Sequence, residues 1–464
     1  MGLKERLFQK EDLSRYLASD KGFIKTLNAR DLISLGIGVV IGTGIFILPG
    51  TVAALHSGPA ISLSFVIAAL VCSLSAMCYA ELSSALPVAG SAYSFGNVLY
   101  GESIGWFLGW ALILEYMLAV AAVSTGWASY FNSFISALGL HMPQALSGPF
   151  DPAHGTYINI TAVASVLIVA LLLAHGSRTS VRVNDIMVIV KVIIILIFVV
   201  VGAFFIKGKN LHPFMPYGFS GVIKGSSLVF FAYLGFDVVA ASAADVKDPQ
   251  KNMPRGIIGT LVITTILYIA VSVVLTGMVY YKQLDVSNPV AYALQLVHQD
   301  WVAAILSVGA LAGMATSMIS TMFSSTRLIY SIGRDGLFPE ALGKINPKTK
   351  VPTNSLIIVT IIIAFFGGVV SLDQITSLVN IGTLLAFTFV SYGVIRLRKR
   401  PDIENTGFKV PFYPVLPLIS VIMCLALMTQ LPAETWLASL VWFIIGAVIY
   451  LSYGIRHSKL NKVD

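Results

Sequence analysis

Two stretches of this chain hold residues whose type and spacing suit chemistry at the main chain. The first is Gly36-Ile-Gly-Val-Val-Ile-Gly-Thr-Gly-Ile-Phe46, which lies in an apolar segment yet carries Gly36, Gly38, Gly42 and Gly44 within nine residues. Glycine weakens a helix and opens the backbone to water or ligand. A helix broken there leaves N–H and C=O groups unpaired, which lipid tolerates only where they line a cavity or bind something. The half-helix beginning near Thr43 points free N–H groups and a positive dipole end at an anion. The competing reading is close helix packing through small residues. The second stretch is Phe230-Phe-Ala-Tyr-Leu-Gly-Phe-Asp-Val-Val-Ala240, where a glycine and an acid interrupt another apolar run. Its alternative is that Gly235 and Asp237 simply end a short helix.

Among the ionisable groups inside the apolar segments, four stand out. A lysine near a helix centre costs about 2.5–3.5 kcal/mol on insertion scales. Lys191 therefore either snorkels toward the near membrane face or turns into the helix bundle, where it can lose and regain a proton. Glu115 is a partner for Lys191, a proton relay, or a neutral acid bonded to a neighbouring helix. Asp237 caps loose N–H groups beside the second interruption or relays charge. Glu81, near a segment end, reads as structural, contacting loop N–H groups or a basic loop residue.

The elements that position these groups are membrane-spanning helices. The 464 residues are 56% hydrophobic and 11% charged, against roughly 25% charged in soluble domains. Twelve apolar segments are expected: 32–55, 60–86, 104–132, 156–174, 186–206, 223–246, 257–281, 302–330, 353–370, 375–395, 413–430 and 435–455. Residues 1–31 read as a charged arm with no apolar h-region, so no cleavable signal is expected. With an even number of spans, both ends lie on one side. That side collects 25 of the 30 Lys and Arg residues and the other collects four, with Lys191 left inside a span. Both termini are therefore expected in the cytoplasm. The basic excess is a topology signal, and no soluble domain is long enough to carry a nucleic-acid footprint. Cys72, Cys78 and Cys424 lie in apolar segments with no disulfide or metal pattern.

The interruptions open segments one and six, which enter the membrane from opposite sides because five is odd. Paired interruptions at matching positions of inverted halves point to a transporter substrate site. Between the segments, Pro87–Gly96 reads as a turn and a short amphipathic helix. Asp248–Pro254 is expected to end segment six, and Gly333–Pro339 to end segment eight. Residues 133–155 form a polar external loop.

Several motifs then carry a resemblance. Gly42-Thr-Gly-Ile-Phe46, Tyr79-Ala-Glu-Leu-Ser-Ser-Ala-Leu-Pro87, Gly90-Ser-Ala-Tyr-Ser94 and Leu114-Glu-Tyr116 resemble the amino acid–polyamine–organocation superfamily. Phe230-Phe-Ala-Tyr-Leu-Gly-Phe-Asp237, Asn252-Met-Pro254 and Arg334-Asp-Gly336 narrow the likeness to bacterial members of its cationic amino acid transporter family. The resemblance covers nearly the whole chain. It implies an all-α membrane protein of LeuT type, with twelve transmembrane helices: an arm (1–31), two inverted repeats of five helices (32–222 and 223–412), two extra helices (413–455) and a tail (456–464). It implies amino-acid uptake by alternating access at the cell membrane, proton-coupled and sodium-independent, with no cofactor, metal or nucleic acid.

Carried over by residue, the resemblance puts a substrate carboxylate on the N–H groups of Thr43, Gly44 and Ile45. It puts the α-ammonium on carbonyls of Val40, Phe231, Ala232 and Leu234, and Lys191 where sodium-coupled relatives bind a cation. Ala243-Ala-Asp245 and Phe338 depart from the expected pattern; the first falls on a cytoplasmic contact. Specificity candidates are Ser317, Met318, Thr321, Met322 and Ser325 on segment eight, with Phe231 and Phe236 as gates. No extra acid stands out to hold a cationic side chain, which favours a small or medium neutral amino acid. An exchanger or a polyamine carrier of the same superfamily is the nearest alternative. A channel would need a repeated filter. An enzyme would need a nucleophile–base set or paired metal ligands, and the seven histidines fall in loops or at segment ends.

Overall fold

Asn28 sets the start of the first helix. Its side chain accepts from the N–H groups of Arg30 (2.8 Å) and Asp31 (3.3 Å), while the Asp31 carboxylate takes the Asn28 N–H at 2.9 Å. This reciprocal capping box opens α1 (Ala29–Val40). A computed structural model describes residues 25–88, 90–137, 139–175, 181–347, 349, 351–403 and 405–459. Most of the expected N-terminal arm, Arg178, Lys348, Lys350 and the end of the tail lie outside the described residues. So does the side chain of Arg182.

The described residues are helical, with three isolated β-bridges. After α1 come α2 (Thr43–Phe46), α3 (Leu48–Val52), α4 (Ile61–Ala85), α5 (Ala92–Leu99), α6 (Glu102–Ala137), α7 (Ile160–Ala174) and α8 (Val181–Ala203). The second half holds α9 (Gly218–Val229), α10 (Phe236–Ala241), α11 (Pro249–Met278), α12 (Pro289–Leu296), α13 (Asp300–Arg334), α14 (Thr353–Val369) and α15 (Leu372–Leu397). The chain closes with α16 (Val415–Met428) and α17 (Ala433–Ile449). Each of the twelve apolar segments carries helix. Among the described residues, eight helical stretches are long and apolar enough to cross a membrane, and α7, α14 and α16 are shorter apolar helices.

One sequence reading needs correction. The stretch Asp248–Pro254 opens a helix as much as it ends one. Pro249 stands at the first position of α11, where its missing N–H costs nothing, and Pro254 lies inside the same helix. The short helix expected after the turn at Pro87 is α5, and it is buried along its whole length from Ala92 to Leu99. It packs under α6, where Gly96 approaches Gly105 so closely that a Cβ would lie 2.7 Å from the Gly105 Cα.

The loops are tied to the bundle. Thr26 and Leu27 donate to the Asp245 carbonyl at 3.0 Å each, and Lys247 returns a bond to Leu27 at 2.9 Å. The departure at Ala243–Asp245 therefore sits on a contact made by main chain. Phe338, the other departure, packs its ring on Trp106 at 5.3 Å. Glu81 has no exposed surface and takes four donors. Arg398 supplies two at 2.8 Å each, Asn405 one at 2.8 Å, and the Val410 N–H one at 2.6 Å. The structural reading of Glu81 thus holds for both its loop N–H and its basic partner.

Candidate functional site

The first break falls where the glycines predict it. α1 stops at Val40, Ile41 is extended (φ −79°, ψ 93°) and Gly42 leaves the helical region (φ −136°, ψ −135°) before α2 begins at Thr43. The second break follows a 3₁₀ turn over Phe230–Tyr233. Leu234 is extended and Gly235 takes φ +116°, a left-handed conformation that favours glycine, before α10 starts. The two breaks touch. A Cβ added at Gly44 would lie 2.6 Å from the Ala232 Cα, so only glycine lets these backbones meet.

A cavity of about 30 Å³ lies between them, lined by Val40, Gly42, Thr43, Gly44, Phe231 and Leu234. Val39, Glu115, Tyr116, Val123, Asp237 and Thr321 are also in its wall. That volume suits a water or two, so a larger ligand enters only after the walls part. Thr43 and Gly44 begin α2, where a helix leaves its first N–H groups without an intrahelical acceptor. The Ile45 N–H reaches back to the Gly42 carbonyl at 3.4 Å. Of the carbonyls expected to be open, the Val40 carbonyl already accepts from the Gly42 N–H at 3.1 Å and lies 3.0 Å from the Tyr268 hydroxyl. The Ala232 carbonyl is 2.6 Å from the same hydroxyl, and the Phe231 carbonyl takes the Leu234 N–H at 3.2 Å.

Lys191 does not snorkel. It is 1% exposed, and its ammonium donates to the carbonyls of Gly38 (2.7 Å) and Ile41 (3.1 Å) and to the Ser317 hydroxyl (2.9 Å). Three donors meet three acceptors, two of them main-chain groups freed by the first break. Glu115 is therefore not its ion-pair partner. Glu115 instead shares the cavity wall with Asp237. The Tyr116 hydroxyl donates to Asp237 Oδ2 at 2.6 Å, and Glu115 Oε2 and Asp237 Oδ1 make no hydrogen bond.

Among the specificity candidates, Thr321 reaches the cavity wall. Met322 and Ser325 are fully buried in the core of α13 away from it. Phe236 packs between Tyr79 (5.7 Å) and Phe387 (5.0 Å) rather than in the wall, so of the two gate candidates Phe231 alone lines the cavity. Ser317 lies behind the first break, donating to the Gly38 carbonyl at 2.8 Å.

Residues 27–452 match the family described as amino acid permease. The chain belongs to that family, within the amino acid–polyamine–organocation superfamily. The permease is 46% identical to the methylthioribose transporter of Bacillus subtilis (strain 168), over 98% of this chain and 99% of the relative. It is 44% identical to the branched-chain amino acid permease BcaP of the same strain, over 99% and 100%. A vacuolar cationic amino acid transporter 4 of Arabidopsis thaliana is 30% identical over 94% and 93%.

In this permease the sequence reading missed Tyr268 and Tyr116. Tyr268 is the single tyrosine of the apolar helix α11, and Tyr116 is one of two in α6. A buried tyrosine hydroxyl seeks a partner, but periodicity does not say which. The reading also found no extra acid to hold a cationic side chain, whereas Glu115 and Asp237 are both in the wall.

Proposed function

We propose that this permease takes up neutral L-amino acids across the cell membrane by alternating access, coupled to protons and independent of sodium. Twelve crossings form two inverted repeats of five, 32–222 and 223–412, followed by two further helices, with both termini in the cytoplasm. The observation that carries this reading is the pair of helix breaks meeting across one cavity. The substrate carboxylate docks on the N–H groups of Thr43, Gly44 and Ile45. The α-ammonium takes the carbonyl side formed by Val40, Phe231, Ala232 and Leu234, displacing the Tyr268 hydroxyl from at least one of them. Because the cavity holds little more than water, docking requires the wall of Phe231 and Thr321 to part, as alternating access demands. Lys191 holds the carbonyls of Gly38 and Ile41 while charged. Losing its proton loosens α1 from α8, which makes it the coupling group, with Glu115 as the second site of proton traffic.

An aliphatic substrate side chain suits the wall of Val39, Val40, Val123 and Leu234. The relative named for branched-chain amino acids supports the same choice. A second reading, a cationic side chain, is favoured by Glu115 and Asp237 in the wall. The test is a thermal-shift screen of purified protein against all amino acids and methylthioribose, since a ligand of the folded state raises the melting temperature. Uptake of the best ligand into liposomes under a pH gradient follows. Leucine, isoleucine or valine should give the largest shift, with accumulation that a protonophore abolishes and sodium removal does not. A shift with lysine or arginine alone selects the second reading. Accumulation that needs sodium, or occurs only by exchange, overturns the coupling.

A further inference from the structure

Tyr392, Ile395, Arg396, Lys399 and Arg400 are spaced so that all fall on one helical face. α15 stops at Leu397, so this face starts on the helix and runs into the turn beyond it. With Leu99, the last residue of α5, these five line a cavity of about 320 Å³, the size of a small-ligand pocket. Three of the six lining residues are cations and none is an acid.

The cations are set by their neighbours. The Arg396 guanidinium lies 5.4 Å from the Tyr100 ring centroid, and that ring stacks on Tyr392 at 6.4 Å. Arg400 is anchored by Asp402 (2.7 and 2.5 Å) and by the Val98 carbonyl (3.2 Å). Arg396 and Lys399 are exposed. Arg398, which points the other way, is held by Glu81 and the Val410 carbonyl and lies over Tyr413. The basic run therefore divides into one structural arginine and three cations that share a cavity.

We propose that this cavity binds the phosphate of an anionic phospholipid headgroup. The cations lie at the end of an apolar 26-residue helix, where headgroups sit. Leu99 and Ile395 provide an apolar wall for the glycerol, and Tyr392, 42% exposed, faces outward one turn nearer the hydrocarbon. A bound phosphodiester bridges α15 to the end of α5, reinforcing the tie that Arg400 makes to Val98.

The test is thermal unfolding of the delipidated full-length protein in neutral detergent. Phosphatidylglycerol, phosphatidylcholine and inorganic phosphate are titrated separately. Phosphatidylglycerol should raise the melting temperature, and the other two should not. The double variant Arg396→Gln, Lys399→Gln should lose roughly thirtyfold in phosphatidylglycerol affinity. The double variant Lys251→Gln, Arg255→Gln, which removes two exposed cations at the start of α11, should bind as the wild type does. Should the first double variant fold poorly, Lys399→Gln alone should weaken binding in the same direction. Unchanged affinity in the Arg396 and Lys399 variants overturns the site. Equal losses in both double variants reduce it to surface charge and overturn it too. Stabilisation by inorganic phosphate as strong as by the lipid overturns the lipid assignment.

Discussion

Tyr268 donates its hydroxyl to the Ala232 carbonyl at 2.6 Å. The same oxygen lies 3.0 Å from the Val40 carbonyl, so one side chain joins the two interrupted helices. A hydroxyl has one proton and serves one carbonyl at a time. The ring is fixed by Tyr233 at 5.1 Å and Phe65 at 5.5 Å. Tyr268→Phe keeps that packing and removes the bond, at about 1 kcal/mol of stability. Substrate uptake per folded molecule should fall further than this loss explains. Uptake that simply follows the amount of folded protein would make Tyr268 a packing residue.

Lys191→Gln tests the coupling. Glutamine still offers a donor to the Gly38 carbonyl but carries no titrating charge. Accumulation driven by a pH gradient should drop by an order of magnitude or more, while counterflow of labelled substrate persists. A variant whose uptake depends on pH as the wild type does removes Lys191 from the proton pathway.

Two glycines of the first break should behave in opposite ways. At Gly44 a methyl meets the Ala232 Cα at 2.6 Å, and a backbone cannot step aside as a side chain does. Gly44→Ala should destabilise by about 1–3 kcal/mol. At Gly42 the nearest atom is Val123 Cγ2 at 3.4 Å, an ordinary contact. Gly42→Ala should fold normally and raise KM, because the added methyl occupies cavity space. Melting temperatures and uptake kinetics of the pair check both statements.

The Glu81 cluster should govern stability rather than transport specificity. Arg398 grips the fully buried carboxylate through two bonds and lies 4.2 Å from the Tyr413 ring centroid. Arg398→Ala strands a buried charge and should cost about 3 kcal/mol. Arg398→Lys recovers only part of this, since an ammonium cannot form the two-pronged bond. Detergent melting curves should rank wild type above Lys above Ala, with unchanged substrate selectivity. A shift in selectivity would tie this cluster to the substrate site.

The sequence by itself determined the class of the protein and the place of both breaks. Glycines inside apolar runs leave polar main chain where lipid has no partner for it, so Ile41–Gly42 and Leu234–Gly235 were legible from residue types alone. It also marked Lys191, Glu115 and Asp237 as costly groups that must be answered by something. Only the tertiary structure decided what answers them. Helical spacing gives a residue a face but not the helix opposite, so Lys191 goes to Gly38, Ile41 and Ser317 and not to Glu115. For the same reason Phe236, one residue past the break, turns into an aromatic cluster, while Tyr268, far away in sequence, reaches both breaks. Which side chains meet across a bundle depends on which backbones can approach, and here Gly44 lets the first break lie against Ala232 of the second.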